Sequence, residues 1–185
     1  MFLLTLFFLI FSSSLPDTSM TDCKGVQVTD KLVDWGYSKP SVEKREIKAI
    51  IIHSSYNALS PDSFSLRGVI KEYKEAGVSP HYIIDRQGDI FRLVPDKYVA
   101  YQAGKSKLPD GTTSVNEFSI GIEIINTKNN GPTAAQYSSL AKLVRCLKFK
   151  YPIKYILGHS DVAPDRKTDP WQFDWKRFNA MIRKR

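Results

Sequence analysis

Five side chains in this sequence could do chemistry together: His53, Glu123, His159, Lys167 and Asp169. The chain holds only three histidines, and two of them end apolar runs. His53 closes IKAIIIH, and His159 follows YILG. Two imidazoles and the Asp169 carboxylate make a three-ligand set, which leaves a fourth position open on a catalytic zinc ion. Such an ion polarises a carbonyl and lowers the pKa of a water to about 7. Glu123 could take that water's proton, and Lys167 could face the oxygen that turns negative. Glu123 lies in the apolar run SIGIEII, residues 119–125, where a carboxylate is costly to desolvate unless it meets a cation or has a chemical task. A buried ion pair or a sheet edge is its other reading. The third histidine, His81, reads as structural or exposed.

These residues need a frame. The β-branched run at 47–53 predicts a central strand covered on both faces, with His53 at its C-terminal end. Strand ends are where open α/β sheets place their sites. Residues 119–125 predict a second buried strand, with Ile120, Ile122 and Ile124 on one face and Gly121 with Glu123 on the other. Residues 155–157 predict a third. Between them, 81–85 and 89–94 read as a hairpin closed at Arg86-Gln87-Gly88. Helices are predicted over 63–76, capped by Asp62 or Ser63, over 133–150 from a capping box at Thr133 and Gln136, and over 175–182. Residues 158–170, GHSDVAPDRKTDP, contain Gly158, Pro164 and Pro170 and read as a polar loop. The long stretch 95–118 reads as a site wall or flap.

At 185 residues and 42% apolar composition, the chain can bury one full core. The net charge of +8 suits an anionic partner, or reflects a lysine-rich composition. No basic run interleaved with aromatics is present, which argues against nucleic acid. The run FLLTLFFLIF at 2–11, followed by three serines, has the size of a secretory signal core and is short for a membrane span. We therefore expect a signal peptide or leader at 1–20, a linker packing on the domain at 21–46, and a catalytic domain at 47–185. Export to the periplasm or cell envelope follows, with membrane association through the N-terminus as the alternative. Cys23 and Cys146 stand open between a disulfide and free thiols. Lipid attachment at Cys23 is opposed by Asp22. Oligomeric state is not legible.

His53 after its strand, the segment SIGIEI and the segment GHSDVAPDRKTDP together resemble the zinc-dependent N-acetylmuramoyl-L-alanine amidases of the amidase-2 family. The likeness covers roughly residues 45–180 and extends more loosely to PHYIIDRQG at 80–88. It implies His53, His159 and Asp169 as ligands of one zinc ion, Glu123 as general acid/base and Lys167 as the transition-state cation. Asn116 matches a site-wall asparagine of the anhydromuropeptide branch, with a turn residue as the alternative. Gln102 stands where the family usually carries histidine, so it is expected to contact substrate without carrying charge. Trp171 follows Asp169-Pro170 where the family usually has glycine. It could pack as core or stack on a sugar.

The resemblance implies an α/β fold, a single domain with a central mixed sheet flanked by helices and the zinc at one sheet end. It implies hydrolysis of the amide joining N-acetylmuramic acid, or its 1,6-anhydro form, to L-alanine of the stem peptide. Peptidoglycan or its muropeptide fragments would be the partner. A non-catalytic peptidoglycan-binding module on the same fold is the alternative, and a zinc peptidase is a third reading.

Overall fold

The computed structural model describes residue 23 and residues 25–183. The expected signal segment lies outside the described residues. Among the described residues eight strands and four helices follow one another: β1 (Val28–Asp30), β2 (Tyr37–Ser38), β3 (Ala49–Ser55), α1 (Leu66–Ala76), β4 (Tyr82–Ile84), β5 (Ile90–Arg92), β6 (Val99–Ala100), β7 (Ser119–Ile125), α2 (Ala134–Lys150), β8 (Tyr155–Gly158), α3 (His159–Val162) and α4 (Trp175–Arg183). Six strands form one mixed sheet in the order β1-β5-β4-β7-β3-β8. Strands β4, β7, β3 and β8 run parallel, and the β4–β5 hairpin is antiparallel.

The central strands read as near-continuous isoleucine because both their faces are covered. On one face Ile50, Ile52, Ile120, Ile122 and Ile124 pack against Tyr137, Leu140, Val144 and Leu147 of α2 and Phe178 of α4. Each such side chain contributes about 1.5–3 kcal/mol on burial. On the other face the core splits in two. Ile51 packs with Leu108, Val115 and Val162, while Ile83 and Ile125 pack with Val69 of α1, Leu93 and Val94. His53 and Glu123 belong to this second face. α2 opens on the expected capping box, with Thr133 and Gln136 capping each other. Cys146 on α2 is joined by a disulfide to Cys23, which closes the alternative of free thiols.

Four expectations change. First, α1 begins at Leu66 with Ser65 as its cap, because Asp62 Oδ1 accepts the Phe64 amide in an Asx turn and holds the preceding residues out of the helix. Second, residues 25–46 are more than a linker: β1 extends the main sheet beside β5, and β2 pairs with β6. Third, the same segment supplies Arg45, a buried cation that donates to the carbonyls of Asp96, Tyr98, Asn116, Glu117 and Ser119 and so fixes the 95–118 stretch. That stretch itself contains β6 and a 3-10 turn at Val115–Phe118. Fourth, the polar segment 158–170 opens with one helical turn, α3, rather than staying irregular. Among the described residues, no helix is long and apolar enough to cross a membrane.

Candidate active site

The parallel register of β3 and β7 sets His53 directly beside Glu123. Register also pairs Ser55 with Ile125, two residues further on, so His53, Ser55 and Glu123 share the second face. On the other flank of β3, β8 pairs Ile52 with Gly158 and hands His159 to the start of α3. Gly158 is required here, since a Cβ would stand 2.6 Å from Pro170 Cδ. The close approach of Pro170 brings Asp169 under both imidazoles.

The three expected ligands converge. His53 Nδ1 faces His159 Nδ1 at 2.9 Å, and Asp169 Oδ2 lies 3.3 Å from His159 Nδ1 and 3.5 Å from His53 Nδ1. All three residues are buried. Burial lowers the pKa of His53, which favours the neutral imidazole that a metal needs.

The outer nitrogens decide the tautomers. His159 Nε2 lies 3.2 Å from the Ala103 carbonyl, which can only accept, so that nitrogen carries the proton. His53 Nε2 lies 2.5 Å from Gln102 Oε1. The Gln102 amide is oriented by its other end: Nε2 donates to Ser119 Oγ at 2.9 Å, and Ser119 Oγ donates to the Val115 carbonyl at 2.7 Å. The Ser119 proton is thus spent, Oε1 faces His53, and His53 Nε2–H must donate. Both Nδ1 lone pairs and a carboxylate oxygen then point at one another with no proton among them. A cation resolves this arrangement. Ligands at about 2.0–2.2 Å from a tetrahedral ion lie about 3.4 Å apart; the two nitrogen–oxygen separations here are 3.3 and 3.5 Å, and the nitrogen–nitrogen separation is tighter at 2.9 Å. The residues therefore fit a metal ion, and two nitrogens with one oxygen suit zinc.

Glu123 is 8% exposed and borders the same cleft. Its Oε2 accepts from Ser55 Oγ at 2.7 Å, which in turn accepts from the Tyr73 hydroxyl at 2.5 Å. Burial and the nearby Asp169 charge push its carboxyl up to about 8, against the opposing effects of Ser55 and Lys167. Lys167 is exposed, lines the cleft and lies close enough to act on Glu123 electrostatically. The cleft measures about 400 Å³ and is bordered also by Tyr101, Pro80 and Trp171. Trp171 is half-buried. Its amide is tied to Ser54 Oγ and its ring leans on Tyr56 at 5.8 Å, yet it forms part of the cleft wall.

A family described as N-acetylmuramoyl-L-alanine amidase matches residues 43–172. The chain belongs to that family. Its amidase relatives include the 1,6-anhydro-N-acetylmuramyl-L-alanine amidase AmpD of Escherichia coli, 46% identical over 110 residues, which are 58% of this chain and 60% of AmpD. The matched region thus spans about 60% of that relative's length. A crystal structure of a selenomethionine derivative of AmpD superposes with a TM-score of 0.72 at 30% identity, covering 87% of this chain and 97% of that one. The E. coli amidase AmiD, solved with anhydro-N-acetylmuramic acid-L-Ala-D-gamma-Glu-L-Lys, superposes with a TM-score of 0.64 at 25% identity, covering 79% and 65%.

Within this amidase frame the other expected residues have partners of their own. Asn116 Oδ1 accepts the Gln102 and Ala103 amides at 3.3 and 2.9 Å. Gln102 borders the cleft but spends both ends of its amide on His53 and Ser119. His81 is buried and structural, with Nδ1 accepting the Gly121 amide and Nε2 donating to the Tyr98 carbonyl. Burial and the adjacent Arg45 pull it down to about 4, so it stays neutral. Ser55 and Tyr73 were not foreseen. Ser55 could have been found by alternation from His53, whereas Tyr73 reads as one more residue of an apolar helix stripe.

Proposed function

We propose that this chain is a zinc-dependent amidase that cleaves the bond between N-acetylmuramic acid, or its 1,6-anhydro form, and L-alanine of a peptidoglycan stem peptide. The observation that carries this reading is the convergence of His53, His159 and Asp169 beside a buried, protonatable Glu123. Family membership and the muropeptide bound to the related AmiD support the choice of bond. The basic net charge suits the carboxylates of stem peptides.

His53, His159 and Asp169 would hold the zinc, which supplies Lewis-acid chemistry toward the amide carbonyl and toward an attacking water. Glu123 accepts the proton of that water as it adds to the carbonyl carbon, and returns a proton to the departing amine nitrogen as the C–N bond breaks. Ser55, backed by Tyr73, holds the Glu123 carboxyl in one orientation through both transfers. The Lys167 ammonium faces the carbonyl oxygen as it gains negative charge. Trp171, with Tyr56 leaning on its ring, supplies aromatic surface at the cleft wall for the sugar.

We further propose that the protein acts outside the reducing cytoplasm, in the envelope. The Cys23–Cys146 disulfide and the apolar N-terminal run support this. The deciding experiment is mass spectrometry of muropeptides incubated with the protein, with and without a zinc chelator. Free peptides beginning at L-alanine, lost on chelation and restored by zinc, are expected. Intact substrate despite bound zinc, or cleavage between amino acids, would overturn the reading.

A further inference from the structure

The two histidines of the metal site are aimed by one small piece of backbone. Gln102 and Ala103 are adjacent, and each holds one imidazole by its outer nitrogen: Gln102 Oε1 takes His53 Nε2–H, and the Ala103 carbonyl takes His159 Nε2–H. The amides of the same two residues both end on Asn116 Oδ1. Asn116 is in turn fixed through its own carbonyl by Arg45, which also binds the Ser119 carbonyl. Arg166 Nη2 donates to the Ala103 carbonyl at 2.9 Å and to that of Lys105, closing the clamp from the α3 side. Gln102 itself lies flat on β7 only because residue 121 is glycine, where a Cβ would meet Gln102 Cγ at 2.5 Å.

We infer that Gln102 and Asn116 are positioning residues of the metal site, and that neither is a substrate contact. Gln102 fixes the tautomer and ring plane of His53 through its side chain. Asn116 holds the Gln102–Ala103 turn, and through it aims both histidines. The inference rests on the metal reading of His53, His159 and Asp169. Outer partners of metal-bound histidines set ring orientation and tautomer, and their loss typically weakens metal binding about 10- to 100-fold.

Two readouts test it apart from turnover. The first is zinc affinity of Gln102→Ala, Gln102→Glu, Asn116→Ala and Asn116→Asp, by competition with a chromophoric chelator. The two alanine variants are expected to lose about 10- to 100-fold, and the two acidic variants, which keep an acceptor oxygen, to recover most of it. The second is the imidazole nitrogen chemical shift of His53 in metal-free protein. Wild type is expected as the Nε2–H form, and Gln102→Ala as a mixture of tautomers. Because this readout uses no metal, a protein that fails to bind zinc would sink the metal reading while the tautomer still reports on positioning. Wild-type zinc affinity in both alanine variants together with a raised KM would overturn the inference and return both residues to the substrate. So would a His53 tautomer that ignores residue 102.

Discussion

His53 and Glu123 are register partners in adjacent parallel strands, so the proposed metal ligand and the proposed acid/base are fixed to each other by the sheet rather than by a loop. Their backbones cannot separate without breaking the β3–β7 pairing at the centre of the fold. Ligand and proton carrier therefore keep one spacing, which is the condition for preorganised catalysis.

Glu123→Gln should leave zinc binding within about threefold of wild type and lower kcat by about 10²- to 10⁴-fold, the usual share of a general acid/base. Metal content by inductively coupled plasma analysis and kcat on an anhydromuropeptide check this. A fully active variant would remove Glu123 from the mechanism.

The raised pKa of Glu123 makes a statement about stability. Its carboxyl titrates near 8 in the folded metal-free protein, against an ordinary 4.5. Between these values the folded state keeps a proton that the unfolded chain has lost. Stability contributed by this group is therefore present at low pH and falls as pH rises through the window. Melting temperatures at pH 5 and pH 8 in chelator should show the loss in wild type and a smaller one in Glu123→Gln. Equal slopes would mean that another group is responsible.

Zinc should stabilise the fold as a ligand of the native state alone. At a hundredfold excess over Kd the gain is about 2.7 kcal/mol, or roughly 5 to 10 °C in Tm for a chain of this size. Asp169→Ala should abolish that shift, since one of three converging ligands is gone. Calorimetry with and without zinc measures it, and a shift retained in Asp169→Ala would place the ion elsewhere.

Gly121→Ala probes the seat of Gln102 without touching any polar group. The new methyl would collide with the Gln102 side chain. Zinc affinity is expected to drop by about tenfold, comparable with removal of an outer partner of a ligand histidine, while KM for substrate changes little. Unchanged affinity would show that Gln102 can shift and still hold His53.

Reduction of the Cys23–Cys146 bond opens a link between residues 123 apart in sequence. The expected loss is about 2–4 kcal/mol, through freedom regained by the unfolded chain. Urea titrations with and without reductant measure it, and coincident curves would show that Cys23 contributes nothing to the domain.

Much of the site was legible because its ligands stand at strand ends, and strands of isoleucine announce themselves. His53, Glu123 and His159 needed only periodicity and strand boundaries to be placed. The hydrogen bonds of Gln102 and Asn116 were not legible, because a sequence does not show which way a loop side chain turns. Their partners are backbone amides and an imidazole 13 to 49 residues away. Arg45 was hidden for the same reason: its acceptors are carbonyls, which every residue possesses. β1 escaped notice because an exposed three-residue edge strand carries no alternation. α3 escaped because a single turn is shorter than the helical period needs in order to show.

The pairing of His53 with His159 spans 106 positions of the chain. No local segment contains the site, and no hairpin or helix pair could bind the ion with all three ligands. β3 must find β8, and the turn at residues 102–103 must be seated, before an ion meets its full coordination. An ion held by His53, His159 and Asp169 would therefore meet all three ligands only late in the assembly of this topology, and an incompletely folded chain would lack the complete site.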